Sequence, residues 1–328
     1  MNIYIENSSW NNIGDFFYQN SIYKIFKDIY KDNNILSFDA PLKRSFKIKN
    51  KQFLKNVFDL RNFLDGDMYV LSGPILGDGF IDQYGEFIKK IYNENKKYLI
   101  LSAFGKNIDA NKKFLEKFPP HAISTRSLDT FKIYKEFTNN SYNGICNAFF
   151  MPIYMQAPTI IDKKYIIKSF YSMHEPDLSF DENGKNIDIT SITLKYKNSI
   201  FWRLNRHLSY FIKNKDNTKN YEIIRTHHDL SYKFNHLNFS KKNSYLSYNI
   251  LNYLSIYKNA KLIVSDRVHS VVLGLAYGVP SVLCGKWDRS ALFDRLKLDK
   301  INNCYIPPKA LYIKNELDAY KNWLKNLI

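Results

Sequence analysis

Short apolar runs alternate with helical patterns along almost the whole chain of 328 residues. In the first half, the apolar runs predict strands at Asn2–Glu6, Ile35–Phe38, Met68–Ser72, Tyr98–Ala103 and His121–Thr125. Alternation of strand and helix is typical of a parallel sheet that is covered by helices on both faces. The sequence therefore predicts a doubly wound, Rossmann-like α/β domain over residues 1–150.

The same pattern restarts after a proline-containing connector at residues 151–163. Further strands are predicted at Tyr165–Tyr171, Tyr221–Thr226, Lys261–Ser265 and Ser281–Cys284, and helices at Phe201–Ile212, Ser244–Tyr257 and Arg267–Tyr277. The polar stretch Asp177–Tyr196 predicts a loop or a hairpin. We expect a second Rossmann-like domain over residues 164–310 and a terminal helix over 311–328. The expected protein is α/β, with two doubly wound domains that face a cleft.

Composition excludes several classes of protein. The content of 45% hydrophobic and 24% charged residues is that of a globular chain. No apolar run approaches the roughly 18 residues of a membrane span, and the start of the chain lacks the pattern of a signal peptide, so a cytoplasmic location is expected. Cys146, Cys284 and Cys304 are far apart and form no CxxC pair, which argues against a disulfide framework or a zinc site.

The net charge of +17 comes mainly from lysines that are scattered along the chain. One interpretation is a solvated surface that reflects a compositional bias. The other is attraction to anions, such as a phosphorylated donor, an acidic glycan or the inner face of a membrane. We find neither a basic stripe on one element nor a known nucleic-acid-binding module, and we expect no nucleic-acid partner.

The most informative motif is Ser265-Asp266-Arg267-Val268-His269-Ser270. Arg267 and His269 stand where a predicted strand ends and a buried helix begins. The start of a helix favours an anion, an arginine there adds a bidentate clamp, and a histidine can act as general acid or base. Alternatively, Ser265 and Asp266 cap the helix and His269 is a packing residue. We favour the functional interpretation because charged residues between two buried runs need a partner.

Other polar residues, and two glycines, follow predicted strands and are expected at the same edges of the sheets. They are Asn12, Gly14, Asp15, Gly73, Arg126, Arg225, His227 and Lys286. Taken alone, Asn12 or Asp15 is better explained as a helix cap. The pair His227 and His228 is a poor metal site, because adjacent residues of an extended segment point in opposite directions.

In their order along the chain, these motifs resemble those of the polysaccharide pyruvyl transferase family. The matching segments are Asn12–Asp15, Ser72–Asp78, Ser124–Arg126, and the R-x-H, G-x-P and lysine pattern of Arg267, His269, Gly278, Pro280 and Lys286. The sequence departs from the family at Ser72-Gly73-Pro74 in place of GGG, and at Ser127 and Asn147 in place of aspartates. These departures bear on substrate specificity.

The resemblance implies a GT-B-like fold and an enzyme that transfers pyruvate from phosphoenolpyruvate to a sugar of a bacterial cell-surface glycan or its lipid-linked precursor, forming a ketal. It implies catalytic roles for His269 and Arg267. Donor binding is expected from Arg126, Arg225, Ser265 and Lys286, and acceptor binding from Asn12, Gly14, Asp15, Gly73 and His227. Phosphoenolpyruvate is the donor substrate, and no metal or redox cofactor is expected.

Two alternative functions belong to other classes of protein. A nucleotide-sugar-dependent GT-B glycosyltransferase also needs a phosphate clamp on the same frame. A non-catalytic binder of polyanions or of the membrane surface would use the net charge alone, and would not need arginine and histidine at the end of a strand.

Overall fold

The computed structural model describes residues 1–8, 12–42, 48, 51–158, 164–171, 174–180, 187–190, 214–218, 221–230, 235–284, 291–296, 300–301, 304–305 and 307–327. The chain divides into two compact units. The N-terminal domain comprises Met1–Met155, Ala291–Lys297 and Lys309–Ile328, and the C-terminal domain comprises Gln156–Ser290 and Leu298–Pro308. Each contains its own largely parallel sheet, which confirms the predicted α/β class.

The sheet of the N-terminal domain is parallel throughout its described strands. Its strands are β1 (Asn2–Asn7), β2 (Asn34–Asp39), β3 (Met68–Ser72), β4 (Lys97–Ala103), β5 (Ala122–Thr125) and β6 (Ser141–Asn143), in the order β2-β1-β3-β4-β5-β6. The helices are α1 (Ile13–Ile29), α2 (Lys51–Lys55), α3 (Phe80–Asn93), α4 (Asp109–Lys117), α5 (Leu128–Tyr134) and α6 (Met151–Tyr154). The strand order reverses between β1 and β3, where ligands of open α/β sheets bind.

Burial of β3 explains why its sequence is a continuous apolar run. All five residues of Met68–Ser72 are buried, as expected for a parallel strand that is covered on both faces. On one face, Tyr69 and Leu71 join a cluster with Phe80, Tyr84 and Phe87 of α3. The apolar face of α3 thereby fixes the position of the loop that joins it to β3.

The C-terminal domain has a seven-stranded sheet and a separate hairpin. The sheet contains β7 (Tyr165–Ser169), β10 (Glu222–Thr226), β11 (Ser244–Tyr245), β12 (Leu262–Ser265), β13 (Ser281–Leu283), β14 (Lys300–Ile301) and β15 (Cys304–Tyr305), in the order β11-β10-β7-β12-β13-β15-β14. The hairpin pairs β8 (Asp177–Phe180) with β9 (Ile187–Thr190), and the described helices are α7 (Ile250–Lys258) and α8 (Val268–Ala276). Here the strand order reverses between β7 and β12.

Two predictions in this domain change with the structure. The predicted helix Ser244–Tyr257 is wrong at its start, because Ser244 and Tyr245 pair with β10 as a strand. The helix begins only at Ile250, where Asn249 accepts a hydrogen bond from the Leu251 N–H at 3.2 Å. Of the two shapes left open for Asp177–Tyr196, the hairpin is correct for its described residues. The predicted helix Phe201–Ile212 lies outside the described residues.

The terminal helix α9 (Ala310–Lys325) belongs to the N-terminal domain, together with Ala291–Lys297. Its apolar stripe, formed by Ile313, Leu317, Tyr320 and Leu324, is buried. The hydroxyl of Tyr30, the residue after α1, donates to the Leu324 carbonyl at 2.7 Å, and the Tyr320 hydroxyl lies 3.1 Å from Ser124 Oγ at β5. The boundary predicted at residue 310 therefore does separate the terminal helix from the C-terminal domain. The helix is not a separate unit, however, because it belongs to the N-terminal domain. In the described part of the chain, every helix is too short or too polar to cross a bilayer.

We predict that Tyr320→Ala lowers the free energy of unfolding by about 3 kcal/mol or more, because it removes a buried aromatic ring and the hydrogen bond between its hydroxyl and Ser124. Leu311→Ala, at an exposed position of the same helix, is the matched control. The urea midpoint, followed by far-ultraviolet circular dichroism, measures the effect. Equal midpoints for the two variants would show that α9 does not contribute to the domain.

Candidate active site

The candidate site of the C-terminal domain is built where β7 and β12 end level with each other. Ser169 and Ser265, the last residues of the two strands, are register partners. The Ser265 hydroxyl donates to the Ser169 carbonyl at 2.6 Å and accepts from the Arg267 N–H at 2.8 Å. Ser265 was predicted to bind the donor. The structure instead buries its hydroxyl and uses it to hold the turn that carries Arg267.

A second bond fastens the loop after β7 to the same turn. The backbone N–H of Tyr171 donates to Asp266 Oδ1 at 2.9 Å. The Tyr171 ring consequently lies below the Arg267 guanidinium, whose Cζ is 4.5 Å from the ring centroid. A guanidinium stacked on an aromatic face is attracted by the ring and loses part of its rotamer freedom. Tyr171 thus holds Arg267 in one orientation.

The Arg267 side chain has an unused donor. Its Nε is buried and has no hydrogen-bond partner among the residues that the structure describes. A buried polar group without a partner costs about 1–3 kcal/mol, and more when it is charged. Arg267 is also the residue immediately before α8, where the first backbone N–H groups of the helix favour negative charge. An anion bound here would satisfy both sets of donors.

His269 lies in the first turn of α8 and is 8% exposed. The helix packs closely on β12, because an added Cβ at Gly274 would lie only 2.2 Å from Ile263 Cδ1. Val271, Val272 and Leu273 are fully buried as well. His269 and Arg267 are therefore presented by a rigid helix, as predicted from its apolar sequence.

The two histidines after β10 have different surroundings. His228 is buried, and its Nε2 lies 2.9 Å from the Tyr257 hydroxyl. Burial, with a smaller contribution from nearby Arg267, holds the pKa of His228 well below its usual value, so this imidazole is neutral. His227, the predicted acceptor contact, is half-buried, and its backbone N–H donates to the Tyr245 carbonyl at 3.1 Å.

Tyr257 links His228 to the base of the site. Its hydroxyl donates to Ser270 Oγ at 2.9 Å and lies 2.8 Å from Thr226 Oγ1. Ser270 follows His269 directly and is itself bonded to Ser169 Oγ at 3.1 Å. This buried polar network joins the ends of β7 and β10 to the first turn of α8, which adds to the rigidity of the site.

Arg225 does not serve as a free anion clamp in this structure. Its Nε donates to Glu175 Oε2 at 2.8 Å, and one terminal nitrogen donates to the Lys242 carbonyl at 3.0 Å. Burial alone would raise the pKa of Glu175, but Arg225 and Lys241 hold it below its usual value, so the carboxylate stays ionised. The predicted donor contact of Arg225 is thereby replaced by an internal ion pair, because its guanidinium charge is already compensated.

The N-terminal domain brings the other predicted residues together around Tyr18 of α1. Gly73 follows β3 with a φ of +86°, and an added Cβ would lie 2.3 Å from the Tyr18 hydroxyl, so only glycine fits. The Arg126 guanidinium is buried, with Cζ 5.2 Å from the Tyr18 ring centroid and one nitrogen 3.5 Å from Cys146 Sγ. Gly73 and Arg126 thus share a neighbour that sequence analysis had not singled out.

The first turn of α1 contains Asn12, Gly14 and Asp15. Asn12 caps the helix by accepting from the Gly14 N–H at 3.0 Å, which confirms the alternative noted above for this residue. Asp15 is buried and accepts from Ser8 Oγ at 3.2 Å. The turn lies at the carboxyl end of β1, beside the reversal of strand order.

Among the described residues, no three or more His, Cys, Asp and Glu side chains are grouped so that they could hold a metal ion. Lys286, the last predicted donor contact, lies outside the described residues. Tyr171 and Tyr18 were missed by sequence analysis. Tyr171 carries one available signal, since it is the last residue of the predicted strand Tyr165–Tyr171, and Arg126 and Arg267 likewise lie within two residues of a predicted strand end.

Comparison with known proteins agrees with this architecture. The MnaA protein of S. aureus in complex with UDP superposes with a TM-score of 0.52 at 11% identity, over 99% of this chain and 89% of that chain. A protein of Listeria monocytogenes described as a UDP-N-acetylglucosamine 2-epimerase gives a TM-score of 0.53 at 8% identity, over 99% and 88%. At such low identities these matches show a shared GT-B-like fold, as predicted.

No curated relative matches the sequence significantly. The sequence pattern of one family, described as polysaccharide pyruvyl transferase, matches residues 12–286, which begin at the Asn12 turn and end at Lys286. This match spans most of the chain and includes the reversal between β7 and β12 as well as the turn that follows β1. The chain belongs to the polysaccharide pyruvyl transferase family and is a polysaccharide-modifying transferase.

Proposed function

We propose that this enzyme transfers pyruvate from phosphoenolpyruvate to a sugar of a cell-surface glycan or its lipid-linked precursor, and forms a pyruvate ketal. The single observation that carries the proposal is the buried, unpartnered Nε of Arg267 at the start of α8, with His269 two residues further on. Family membership supplies the reaction class. The donor identity and the ketal product are our inference from the chemistry of the site.

Phosphoenolpyruvate carries a phosphate and a carboxylate, and both need donors. In the proposed complex the Arg267 guanidinium grips one of these groups with two parallel hydrogen bonds, and the first N–H groups of α8 bind the same charge. Lys286 is the further cation that the family pattern offers. Arg225 is a weak donor contact, because Glu175 neutralises its charge.

The proposed reaction balances without any redox change. C3 of the enol accepts a proton, a sugar hydroxyl adds to C2 as it loses its own proton, and the C2–oxygen bond to phosphate breaks. A second hydroxyl of the same sugar then adds to C2 and gives the ketal. The two hydroxyl protons end on C3 and on the released phosphate. His269 is the proposed acid and base for these transfers, and the scheme requires no metal or redox cofactor.

We propose the N-terminal domain as the acceptor-binding part. Asp15, the backbone around Gly73 and the half-buried Asn12 supply carboxylate and amide groups of the kind that bind sugar hydroxyls. We place the enzyme in the cytoplasm, where phosphoenolpyruvate is made, with contact at the inner membrane face. The net charge of +17 supports such contact.

The decisive experiment incubates the enzyme with phosphoenolpyruvate and an acceptor glycan, and then measures phosphate release and the mass of the glycan. Pyruvyl transfer requires both phosphate and a pyruvate-sized increase in mass. A nucleotide-sugar glycosyltransferase would leave phosphoenolpyruvate intact and release nucleotide from a UDP-sugar instead.

We predict that Arg267→Lys raises the KM for phosphoenolpyruvate about tenfold or more while the melting temperature changes little. An ammonium is a point charge and cannot replace the planar fork. Arg295→Lys, which keeps the charge opposite Glu316 in the N-terminal domain, is the matched control. Unchanged kinetics for Arg267→Lys would remove this residue from the donor site.

Tyr171 offers a prediction with an internal control. Tyr171→Ala should raise the KM for phosphoenolpyruvate by about 2- to 30-fold, which corresponds to a cation–π contribution of roughly 0.5–2 kcal/mol. Tyr171→Phe keeps the ring and should stay close to the wild type. If both variants behave alike, the ring under Arg267 does not position the guanidinium.

For His269 we predict that replacement by Ala lowers kcat by about 10²- to 10⁴-fold with donor binding retained, because a positioned proton donor is lost. His269→Gln should be nearly as slow, since an amide cannot deliver a proton. Turnover and melting temperature are measured on the same preparations, with exposed His236→Ala as control. A fall in melting temperature with intact turnover per folded molecule would identify His269 as a packing residue.

A further inference from the structure

A polar groove lies in the N-terminal domain between α1 and the edge strand β2. It has a volume of about 210 Å³, and the side chains used below to describe it are Asn7, Phe16, Gln19, Asn20, Tyr23 and Ser37. We call this cavity the α1 groove. It is smaller than the roughly 300–1,000 Å³ of pockets for drug-sized ligands, and its size suits one sugar unit.

One stripe of α1 forms a wall of the groove. Its members follow the spacing i, i+3, i+4 and i+7, which places them on the same face of the helix, and they are Phe16, Gln19, Asn20 and Tyr23. A helix face that only packs on a sheet is expected to be apolar, as α1 is at the fully buried Phe17 and Ile22. Two rings beside two amides instead match a ligand with an apolar face and polar edges.

The α1 groove offers no free charge, although the net charge of the chain is +17. Among the described residues, no lysine or arginine lines it. Glu6 borders the groove, but its carboxylate already accepts from the Ser72 N–H at 3.1 Å and from the Tyr84 hydroxyl. A phosphate, a nucleotide or an acidic sugar would therefore lack a counter-charge in the groove. A neutral ligand that carries hydroxyl groups fits these surroundings.

Asn20 provides an unused hydrogen-bonding group in the groove. It is half-buried, and its Nδ2 lies 3.0 Å from Met155 Sδ, which is a weak acceptor. Its Oδ1 accepts no hydrogen bond from the part of the chain that the structure describes. Neighbouring hydroxyl groups of a sugar can use the oxygen and an N–H of one amide together. Ser37, exposed on β2, adds a hydroxyl on the opposite wall.

Phe16 provides an apolar surface on which the C–H groups of a sugar ring can pack. Its ring is half-buried and meets the buried Phe17 edge to face, with centroids 6.2 Å apart. Tyr23, at the far end of the groove, already has the Lys27 ammonium over its ring at 5.7 Å. We therefore assign the contact with the face of the sugar to Phe16.

The α1 groove continues from the proposed acceptor residues. Asp15 and Gln19 are one helical turn apart, and the Ser8 hydroxyl lies 3.2 Å from Asp15 Oδ2 and 3.3 Å from Gln19 Oε1. One turn advances about 5.4 Å along the helix axis, close to the length of one sugar unit in a glycan. Asn7, the last residue of β1, lies in the groove, which therefore starts at the carboxyl edge of the sheet that carries Asp15.

We propose that the α1 groove binds a second, neutral sugar unit of the acceptor glycan, next to the unit that receives pyruvate. Phe16 and Asn20 are the residues that select for this neighbouring unit. The inference rests on the proposed acceptor site around Asp15, and it makes the substrate a glycan of at least two units instead of a single sugar.

The test measures the binding of glycan fragments in the absence of phosphoenolpyruvate. The probes come from the cell-surface glycan of a strain that lacks this gene, cleaved with mild acid and separated into fragments of one, two and three sugar units. Isothermal titration calorimetry gives the Kd of each fragment. We expect the two-unit and three-unit fragments to bind about tenfold or more tightly than the single unit.

Two variants assign this preference to the groove. Asn20→Ala and Phe16→Leu should each weaken binding of the two-unit fragment about fivefold, with little change for the single unit. Asn20→Asp keeps the Oδ1 acceptor and should stay close to the wild type. Asn93→Ala, at an exposed asparagine that ends α3 in the same domain, is the matched control. Melting temperatures of the same preparations show that each variant is folded.

Several results would overturn the proposal. Equal affinity of the wild type for one-unit and two-unit fragments, or no binding of any fragment, would exclude a second sugar site. A length preference that survives in both Asn20→Ala and Phe16→Leu would place the second unit outside the α1 groove. A preference for an acidic second unit would contradict the neutral ligand. Failure of the proposed function is seen separately, as absence of phosphate release from phosphoenolpyruvate.

Discussion

The hydrogen bond of the Ser265 hydroxyl to the Ser169 carbonyl holds the ends of β7 and β12 level. The candidate donor site depends on this alignment. Because both strands end at one height, the residues that follow them emerge side by side, and Tyr171 comes to lie under Arg267. Helix α8 starts there, so its first backbone N–H groups and the Arg267 guanidinium both provide hydrogen-bond donors. A site for a strongly charged anion is thus assembled from backbone geometry before any ligand arrives.

Both domains have a candidate site at the reversal of strand order, but the side chains at the two sites differ. In each, the strand order reverses next to a helix that begins directly after a central strand. In the C-terminal domain this place has an arginine stacked on a tyrosine and a histidine in the helix. In the N-terminal domain it has a left-handed glycine, an aspartate and a tyrosine against a buried arginine. Under the proposed function, the first site would bind the charged donor and the second the sugar acceptor.

Charge is used in two separate ways along the chain. In the C-terminal domain, the buried Lys168 and the half-buried Arg225 and Lys241 pair with Glu175 and Asp216, where they hold the β8–β9 hairpin region to the sheet. Burial lowers the pKa of Lys168, and its ion pair with Asp216 at 2.7 Å opposes that shift. In the sequence of residues 43–64, by contrast, seven basic residues accompany a single acidic one. A net charge alone does not distinguish an internal network from a binding surface.

The sequence by itself determined the α/β class, the two sheets, and the placement of Arg267 and His269 at a strand-to-helix turn, because each follows from local periodicity and chain order. Tertiary structure decided which predicted residues are available. Arg225 looks like Arg267 in sequence, but Glu175, 50 residues away along the chain, neutralises it. In the same way, α9 joins the N-terminal domain through Tyr30 and Ser124, far upstream, and Tyr171 meets Arg267 across 96 residues. Such partners are selected by the packing of distant segments, which leaves no local pattern in the sequence.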